Sequence, residues 1–288
     1  MSTTDLRGKT ALITGVSRRR GIGFAVATKL ASLGASIFIQ HFRPHDEKQP
    51  WGGDDLDALR DGVRAHLVDG AAFGDAEADL ADASTVPQVM SAATTLTGRL
   101  DILVCNHAKS GDDGSILDMT PARLDAFWDV NTRSTLLLTA EFARLKAPTQ
   151  ATQRHPGERI EGGKPHPRPT GHVFWMTSGQ LHGAMFGEVA YATSKAALAG
   201  VTRTVAADLL DLGIILNTIN PGPVNTGYMD PDSTDRPLDH LDEILAATPF
   251  GRFGIPADPA ELIAWLATES GSWVVGQVIT SDGGFSLS

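Results

Sequence analysis

The sequence lacks several features that mark particular classes of protein. A single cysteine, Cys105, among 288 residues excludes an internal disulfide, and its place at the end of the apolar run DILVC predicts a buried small hydrophobe. Basic residues are outnumbered, 24 against 34 acidic ones, and the net charge of −10 argues against nonspecific binding to nucleic acid or anionic membranes. No apolar run is long enough to span a bilayer. We therefore expect neither a nucleic-acid nor a membrane partner.

Little chain precedes the first predicted strand. That strand begins about ten residues from the first methionine, which leaves no room for a signal peptide. The expected location of the protein is therefore the cytoplasm.

What the sequence does have is a regular alternation of strand-like and helix-like segments, which is typical of a doubly wound parallel sheet. Its length and its 42% of apolar residues are sufficient for one α/β core. We predict a single Rossmann-type domain over residues 1–288, with a seven-stranded parallel sheet and helices on both faces. The predicted strands lie near residues 10–14, 36–40, 73–78, 101–105, 172–177, 214–219 and 277–281.

Several helices carry their own start and stop signals. A threonine followed by a proline predicts a helix over residues 121–146, and Asp258 followed by Pro259 predicts another over residues 259–268. A third helix should end at Gly213, because glycine readily takes the left-handed conformation that closes a helix.

A glycine-rich turn follows the first predicted strand. The strand TALIT leads into Gly15, then Gly21, Ile22 and Gly23, and then the helical stretch FAVATKLASLG. Strand, turn and helix in this order place free N–H groups and the positive end of a helix where a pyrophosphate can bind. Gly15 permits the tight turn, and the later glycines allow close approach of phosphate and helix. The pattern favours a dinucleotide site over a turn without a ligand.

Tyr191 and Lys195 form the most informative pair in the sequence. Residues four apart share one face of a helix, so the ammonium of Lys195 would lie beside the phenol of Tyr191. A free phenol has a pKa of about 10, and a fixed neighbouring cation favours the phenolate. Ser178, which follows the apolar run HVFWMT, would add a hydroxyl for a substrate oxygen. The alternative is an amphipathic helix with Tyr191 in the core and Lys195 in solvent.

These elements resemble the classical short-chain dehydrogenase/reductase family. TGVSRRRGIG resembles the TGxxxGIG turn of that family with two extra residues, CNHA at 105–108 resembles its NNAG element, and Asn131 matches its catalytic asparagine. INPGPVNTGYM from Ile219, PFGRFGIPAD from Pro249 and GQVITSDGG from Gly276 resemble later segments, in the order of the family. The resemblance covers nearly the whole chain.

Within the family, three features are most similar to a subgroup named 3-oxoacyl-[acyl-carrier-protein] reductase. They are the lengthened glycine turn, HFRPHDEKQPWGG after the second strand, and MTSGQ around the serine. The implied function is an NADP(H)-dependent interconversion of a ketone and a secondary alcohol, on an acyl thioester. Free small ketones, sugars or polyketide-like compounds are the alternative substrates. A noncatalytic cofactor-sensing protein on the same fold is the alternative from another functional class.

The resemblance implies a catalytic tetrad of Asn131, Ser178, Tyr191 and Lys195. Tyr191 would donate a proton to the substrate oxygen that Ser178 binds. Lys195 would lower the pKa of the tyrosine and bind the nicotinamide ribose, and Asn131 would anchor a water that relays protons to Lys195.

The resemblance also implies the cofactor contacts. Asp79 and Leu80 would contact the adenine, and residues 106–108 would line the adenine ribose through their backbone. His107 replaces the alanine usual in the family and is interpreted as a surface variation. The full predicted cofactor set is Gly15, Ser17, Arg18, Gly21, Ile22, Gly23, His41, Arg43, Asp79, Leu80, Asn106, His107, Ala108, Tyr191, Lys195, Pro221, Gly222, Val224 and Thr226.

The segment after the second strand favours NADP(H), with NAD(H) as the alternative. An NAD site usually has an acid there that binds the ribose 2′-hydroxyl, whereas this chain has His41 and Arg43 and no carboxylate before Asp46. Arg43, with one of the three arginines at 18–20, could pair with a 2′-phosphate. Alternatively these arginines are solvated, and Asp46 or Glu47 folds back onto the ribose.

Two segments fall outside the alternating pattern. Residues 148–171 are rich in proline, glycine and charge, and are predicted to form a mobile insertion. Histidines 155, 166 and 172 have no compact ligand spacing, so no metal site is predicted. Residues 227–250 are expected to cover a small-molecule substrate. The helices at 121–146 and 191–212 resemble the dimer face of the family, which implies a homotetramer or homodimer.

Overall fold

A computed structural model describes residues 5–148, 155, 157–160, 164–234, 243, 245–246 and 248–287. Its sheet has seven strands, which are β1 (Thr10–Ile13), β2 (Ser36–His41), β3 (Phe73–Glu77), β4 (Ile102–Cys105), β5 (Gly171–Met176), β6 (Ile214–Asn220) and β7 (Val278–Thr280). Its helices are α1 (Ile22–Ser32), α2 (Arg43–Asp46), α3 (Leu56–Arg64), α4 (Thr85–Thr95), α5 (Pro121–Phe127), α6 (Ser134–Lys146), α7 (Val189–Leu210) and α8 (Ala257–Leu266). Short 3-10 turns lie at Ile116–Asp118, Gly179–Leu181, Glu269–Gly271 and Phe285–Leu287.

The strands form one parallel sheet in the order β3-β2-β1-β4-β5-β6-β7. Parallel neighbours need crossover connections, and the helices supply them on both faces. The predicted seven-stranded doubly wound fold is therefore confirmed.

The central strands are buried on both faces, because successive side chains point to opposite sides of the sheet. Ile102 and Val104 of β4 pack in the core layer that includes α1 and α8, whereas Leu103 and Cys105 pack in the layer that includes α4, α6 and α7. Cys105 is buried, as the sequence predicted.

Two predicted helices differ from those observed. The helix predicted over residues 121–146 contains a π-helical turn, Trp128–Arg133, between α5 and α6. Such turns insert a residue into the helical register and often occur at functional sites. The helix α8 begins at residue 257, two residues before the predicted start, and the carboxylate of Asp258 accepts the N–H of Ile255 (2.8 Å).

The predicted insertion and substrate loop lie partly outside the described residues, at 149–154, 156 and 161–163 and at 235–242, 244 and 247. The described part of the insertion contacts the end of α7. Arg159 and Lys164 pair with the buried carboxylate of Asp211, and His166 lies 3.1 Å from its carbonyl oxygen. These contacts attach the described insertion residues to the domain.

Candidate active site

The site lies where the strand order reverses, between β1 and β4. Ligands of doubly wound proteins bind at the carboxyl ends of the strands at such a point. Here those ends border a cleft of about 1210 Å³, which exceeds the usual volume of a small-ligand pocket. Both the glycine turn and Tyr191 line it.

The glycine turn forms a close-fitting cradle at one end of the cleft. Gly15 has a φ of +71°, and a Cβ there would lie 2.6 Å from the Cα of His107. A Cβ on Gly23 would lie 2.6 Å from Nδ2 of Asn106. The N–H of Gly15 is bonded to the side-chain oxygen of Gln40 (2.9 Å). The following helix begins at Ile22 after Gly21, which has no side chain to occupy the helix end. The first-turn N–H groups can therefore bind phosphate oxygens, which fits a dinucleotide.

The structure brings most of the predicted residues to the cleft wall. These are Gly15, Ser17, Arg18, Gly21, Ile22, Asp79, Leu80, Asn106, His107, Ala108, Ser178, Tyr191, Lys195, Pro221, Gly222, Val224 and Thr226. Gly23, His41, Arg43 and Asn131 do not line it. Gly23 packs closely against Asn106, and Asn131 bonds Lys109 and Ser194. The side chains of His41 and Arg43 contact Asp75 and Glu47 instead of the cleft.

Tyr191 and Lys195 lie together on the first turns of α7. The ammonium nitrogen of Lys195 is 5.7 Å from the centre of the Tyr191 ring. The rings of Phe127 and Tyr191 make a T-shaped contact, with centroids 6.5 Å apart. Lys195 is buried and donates to the carbonyl oxygen of Met176 (3.0 Å), the last residue of β5. The helix therefore holds a fixed cation beside the phenol, as the spacing predicted.

Burial changes the acidity of Lys195 and of Cys105. It lowers the pKa of Lys195 to about 8, because an ammonium is poorly solvated in the interior. It also raises the pKa of the Cys105 thiol well above its ordinary value, so that residue is not a thiolate nucleophile.

Asn131 lies in the π-helical turn and is fully buried. Its side-chain oxygen accepts the N–H of Lys109 (2.6 Å), and its amide nitrogen donates to the carbonyl of Lys109 (3.2 Å) and to the hydroxyl of Ser194 (2.9 Å). The side chain thus joins the loop after β4 to the residue that precedes Lys195. Anchoring a water remains a prediction.

His107 is buried, and its interpretation as a surface variation was wrong. Its Nδ1 lies 2.6 Å from the hydroxyl of Thr14, and its Nε2 lies 3.0 Å from the carbonyl of Val130 and 2.6 Å from the hydroxyl of Ser134. Since a carbonyl only accepts, we place the proton on Nε2. Burial lowers the pKa of His107 to about 3, so the ring is neutral. A neutral imidazole therefore joins Thr14, the residue after β1, to the π-helical turn. Alanine could make no such bonds.

Arg18, the first arginine of the glycine turn, is paired with Asp46, whose position the sequence did not determine. Asp46 folds back onto the turn, where its carboxylate accepts the hydroxyl of Ser17 and pairs with Arg18 (3.0 Å). Arg18 also donates to the carbonyl of Thr226 (2.8 Å), and its guanidinium carbon lies 5.4 Å from the centre of the Trp51 ring. Sequence reasoning missed Trp51. It included Asp46 only in the alternative in which Asp46 or Glu47 folds back onto the ribose.

The other arginines predicted near the cleft do not line it. Arg19 pairs with Asp54 and Arg20 with Asp230. Arg43 pairs with Glu47 (2.8 Å) and lines a separate surface depression. Arg18 is therefore the arginine of this group that reaches the cleft.

His41, at the end of β2, also faces away from the cleft. It is buried, with Nε2 3.1 Å from the carboxylate of Asp75. Its side chain belongs to the packing between β2 and β3 and not to the cleft wall.

Ser178 lines the cleft two residues after the end of β5. Its hydroxyl lies 4.0 Å from the sulfur of Met185, and the cleft wall continues through Phe186 and Tyr228. His182, in contrast, does not line the cleft, and its Nε2 lies 2.8 Å from the hydroxyl of Thr280. The cleft wall beside the hydroxyl of Ser178 is therefore partly apolar.

Comparisons with known proteins identify the family to which this fold belongs. The chain matches a family model described as enoyl-(acyl carrier protein) reductase over residues 15–153 and 160–286. It is 34% identical over 279 residues to "Uncharacterized oxidoreductase YjdA" of Bacillus subtilis (strain 168), covering 96% of each chain. It is 31% identical over 293 residues to the cyclohexanol dehydrogenase of Rhodococcus sp. (strain TK6), covering 98% of each.

A solved structure is similar over the same extent. The short chain dehydrogenase from Burkholderia cenocepacia J2315 in complex with NADP shares 29% identity, with a TM-score of 0.75 and coverage of 97% of this chain and 98% of that one. Among the described residues, no helix is long and apolar enough to cross a membrane. The fold, the match along nearly all of the chain and these relatives show that the protein belongs to the short-chain dehydrogenase/reductase family of oxidoreductases.

Proposed function

We propose that this protein interconverts a ketone and a secondary alcohol with NADP(H), by means of the tetrad Asn131, Ser178, Tyr191 and Lys195. The observation that carries the proposal is the buried ammonium of Lys195 beside the phenol of Tyr191, in the same cleft as the glycine turn. A bound nicotinamide would supply or accept the hydride.

The protein side chains would handle the proton and the orientation of the substrate. In the reductive direction, Tyr191 donates its proton to the substrate oxygen, and the hydroxyl of Ser178 binds that oxygen. Lys195 stabilises the phenolate that remains. Asn131 holds Lys109 and Ser194 in place and so orients the segment around Lys195.

We assign a 3-oxoacyl thioester as the first substrate class. The three sequence features that resemble the 3-oxoacyl reductase subgroup support it, as does the acyl-carrier-protein description of the matching family model. A free cyclic or small ketone is the second candidate, which the similarity to a cyclohexanol dehydrogenase supports.

The substrate test is a set of initial rates of NADPH oxidation with acetoacetyl thioesters, free β-ketoesters, cyclic ketones and sugars. Fastest turnover of the thioesters, measured as kcat/KM, is the expected result. Faster turnover of cyclohexanone would move the assignment to free ketones. Tight NADPH binding without turnover of any compound would contradict the reductase and favour a cofactor-sensing protein.

We further propose that the whole chain is one domain that assembles as a dimer or tetramer. The face around α5 supports assembly, because Leu117 and Trp128 are large apolar residues exposed there. Light scattering that shows only a 30.5 kDa monomer at micromolar concentration would contradict assembly.

The preference for NADP(H) is assigned to Arg18. Arg18 lines the cleft, where its guanidinium could bind a 2′-phosphate in place of Asp46. We expect Arg18→Ala to lower kcat/KM for NADPH by roughly tenfold to a hundredfold, since a hydrogen bond to a charged group is lost, and to leave kcat/KM for NADH nearly unchanged.

The matched control is Arg43→Ala, because Arg43 lies outside the cleft and pairs with Glu47. It should keep the wild-type ratio of kcat/KM for the two nucleotides. A wild type that prefers NADH, or a ratio that changes in the Arg43 variant alone, would contradict the assignment.

A further inference from the structure

The helix that carries Tyr191 has a binding partner far away in the sequence. The first N–H groups of any helix lack partners within the helix. In α7, the carboxylate of Asp113 accepts two of them, from Ala190 (3.0 Å) and from Tyr191 itself (2.7 Å). Asp113 is 78 residues away from Tyr191 in the chain. A negative charge at this end of a helix is also favoured by the helix dipole.

The loop of Asp113 is itself held in a defined position. Asp113 accepts the N–H of Gly114 (2.7 Å), and the carbonyl of Gly114 accepts the N–H of Val189, the first residue of α7 (3.2 Å). At its other end, Lys109 is bound through both backbone groups by the side chain of Asn131. The segment 109–114 therefore connects the π-helical turn to the start of α7.

We propose that Asp113 is a positioning residue for Tyr191, which sets the first turn of α7 against the cleft through the N–H groups of Ala190 and Tyr191. The inference rests on the proposed role of Tyr191 as proton donor. A proton donor must stay within hydrogen-bond reach of the substrate oxygen. Asp113 ties the backbone of Tyr191 directly to the loop that borders the cleft, so it limits movement of the phenol.

The test compares Asp113→Ala with Asp113→Asn. The alanine variant should lower kcat by about tenfold to a hundredfold, as small displacements of a reacting group do, while the dissociation constant for NADPH stays unchanged. The asparagine variant keeps a side-chain oxygen that can accept one N–H, so it should recover much of kcat. Amide hydrogen exchange over residues 189–195 should be fastest in the alanine variant. Asp69→Asn, on an exposed turn, controls for the change in net charge.

Several outcomes would overturn the inference. The first is a wild-type kcat in Asp113→Ala. The second is a parallel loss of kcat and of NADPH affinity in that variant, because it would indicate a general loss of structure. If the alanine variant does not fold, faster exchange of residues 189–195 at unchanged kcat in Asp113→Asn would overturn it. Tyr191→Phe separates this inference from the proposed function. Turnover by that variant would refute the function, whereas its inactivity beside a fully active Asp113→Ala would refute only the role of Asp113.

Discussion

Tyr191→Phe is expected to abolish turnover while leaving the affinity for NADPH nearly unchanged. The substitution removes the transferable proton but little volume, and the T-shaped contact with Phe127 uses the ring and not the hydroxyl. Loss of proton transfer should cost several powers of ten in kcat, each equal to about 1.4 kcal/mol in the barrier. The measurement is a steady-state assay of kcat, together with fluorescence titration of NADPH.

A control variant and a threshold in kcat test the assignment of Tyr191 as proton donor. Tyr228→Phe is the matched control, because it removes the other tyrosine hydroxyl of the chain and is expected to retain far more turnover. If Tyr191→Phe kept a tenth of the wild-type kcat, Tyr191 would not be the proton donor.

Lys195→Met is expected to abolish activity and to change how stability depends on pH. Burial lowers the pKa of Lys195 to about 8 in the folded protein, whereas an unfolded lysine keeps a pKa of about 10.4. Below about pH 8 both states are protonated, and the folded state bears the full cost of a buried ammonium. Between these two pKa values the unfolded chain binds more protons, so the free energy of unfolding of the wild type rises with pH.

Between pH 7 and pH 9.5 the free energy of unfolding of the wild type should therefore rise relative to that of the Lys195→Met variant. The expected relative rise is roughly 2 kcal/mol. Urea unfolding of the protein without cofactor, at both pH values, measures it. Lys29→Met, which removes a partly exposed lysine on α1, is the control. A difference that is constant between the two pH values would show that Lys195 keeps its ordinary pKa.

Sequence patterns predicted the fold because the main signals are local. Strand periodicity and helix spacing depend on neighbouring residues, so the seven strands were found within a few residues of their observed ends. The Tyr191 and Lys195 pair was equally accessible, since residues four apart on a helix meet wherever the helix lies. Insertion of the π-helical turn at Asn131 was not predicted, because it changes the backbone register without a distinctive residue pattern.

Contacts between distant segments were beyond sequence reasoning. His107 looked like a surface substitution, yet its ring bonds Thr14 and Ser134, which are 93 and 27 residues away in the chain. Arg43 looked suited to a 2′-phosphate, yet its side chain faces away from the cleft and Arg18 lines it. Asp113 gave no signal beyond a polar loop, because its partners are far along the chain.

The sequence by itself determined the doubly wound fold, the glycine turn and the face shared by Tyr191 and Lys195, since each depends on spacing within one or two elements. Only the tertiary structure decided the direction in which the arginines face, the pairing of Asp46 with Arg18, the burial of His107 and the bonds from Asp113 to α7. These features depend on which loops meet at the carboxyl ends of the strands. Packing of the whole sheet determines which loops lie together, because it brings into contact side chains that are separated by tens of residues in the chain.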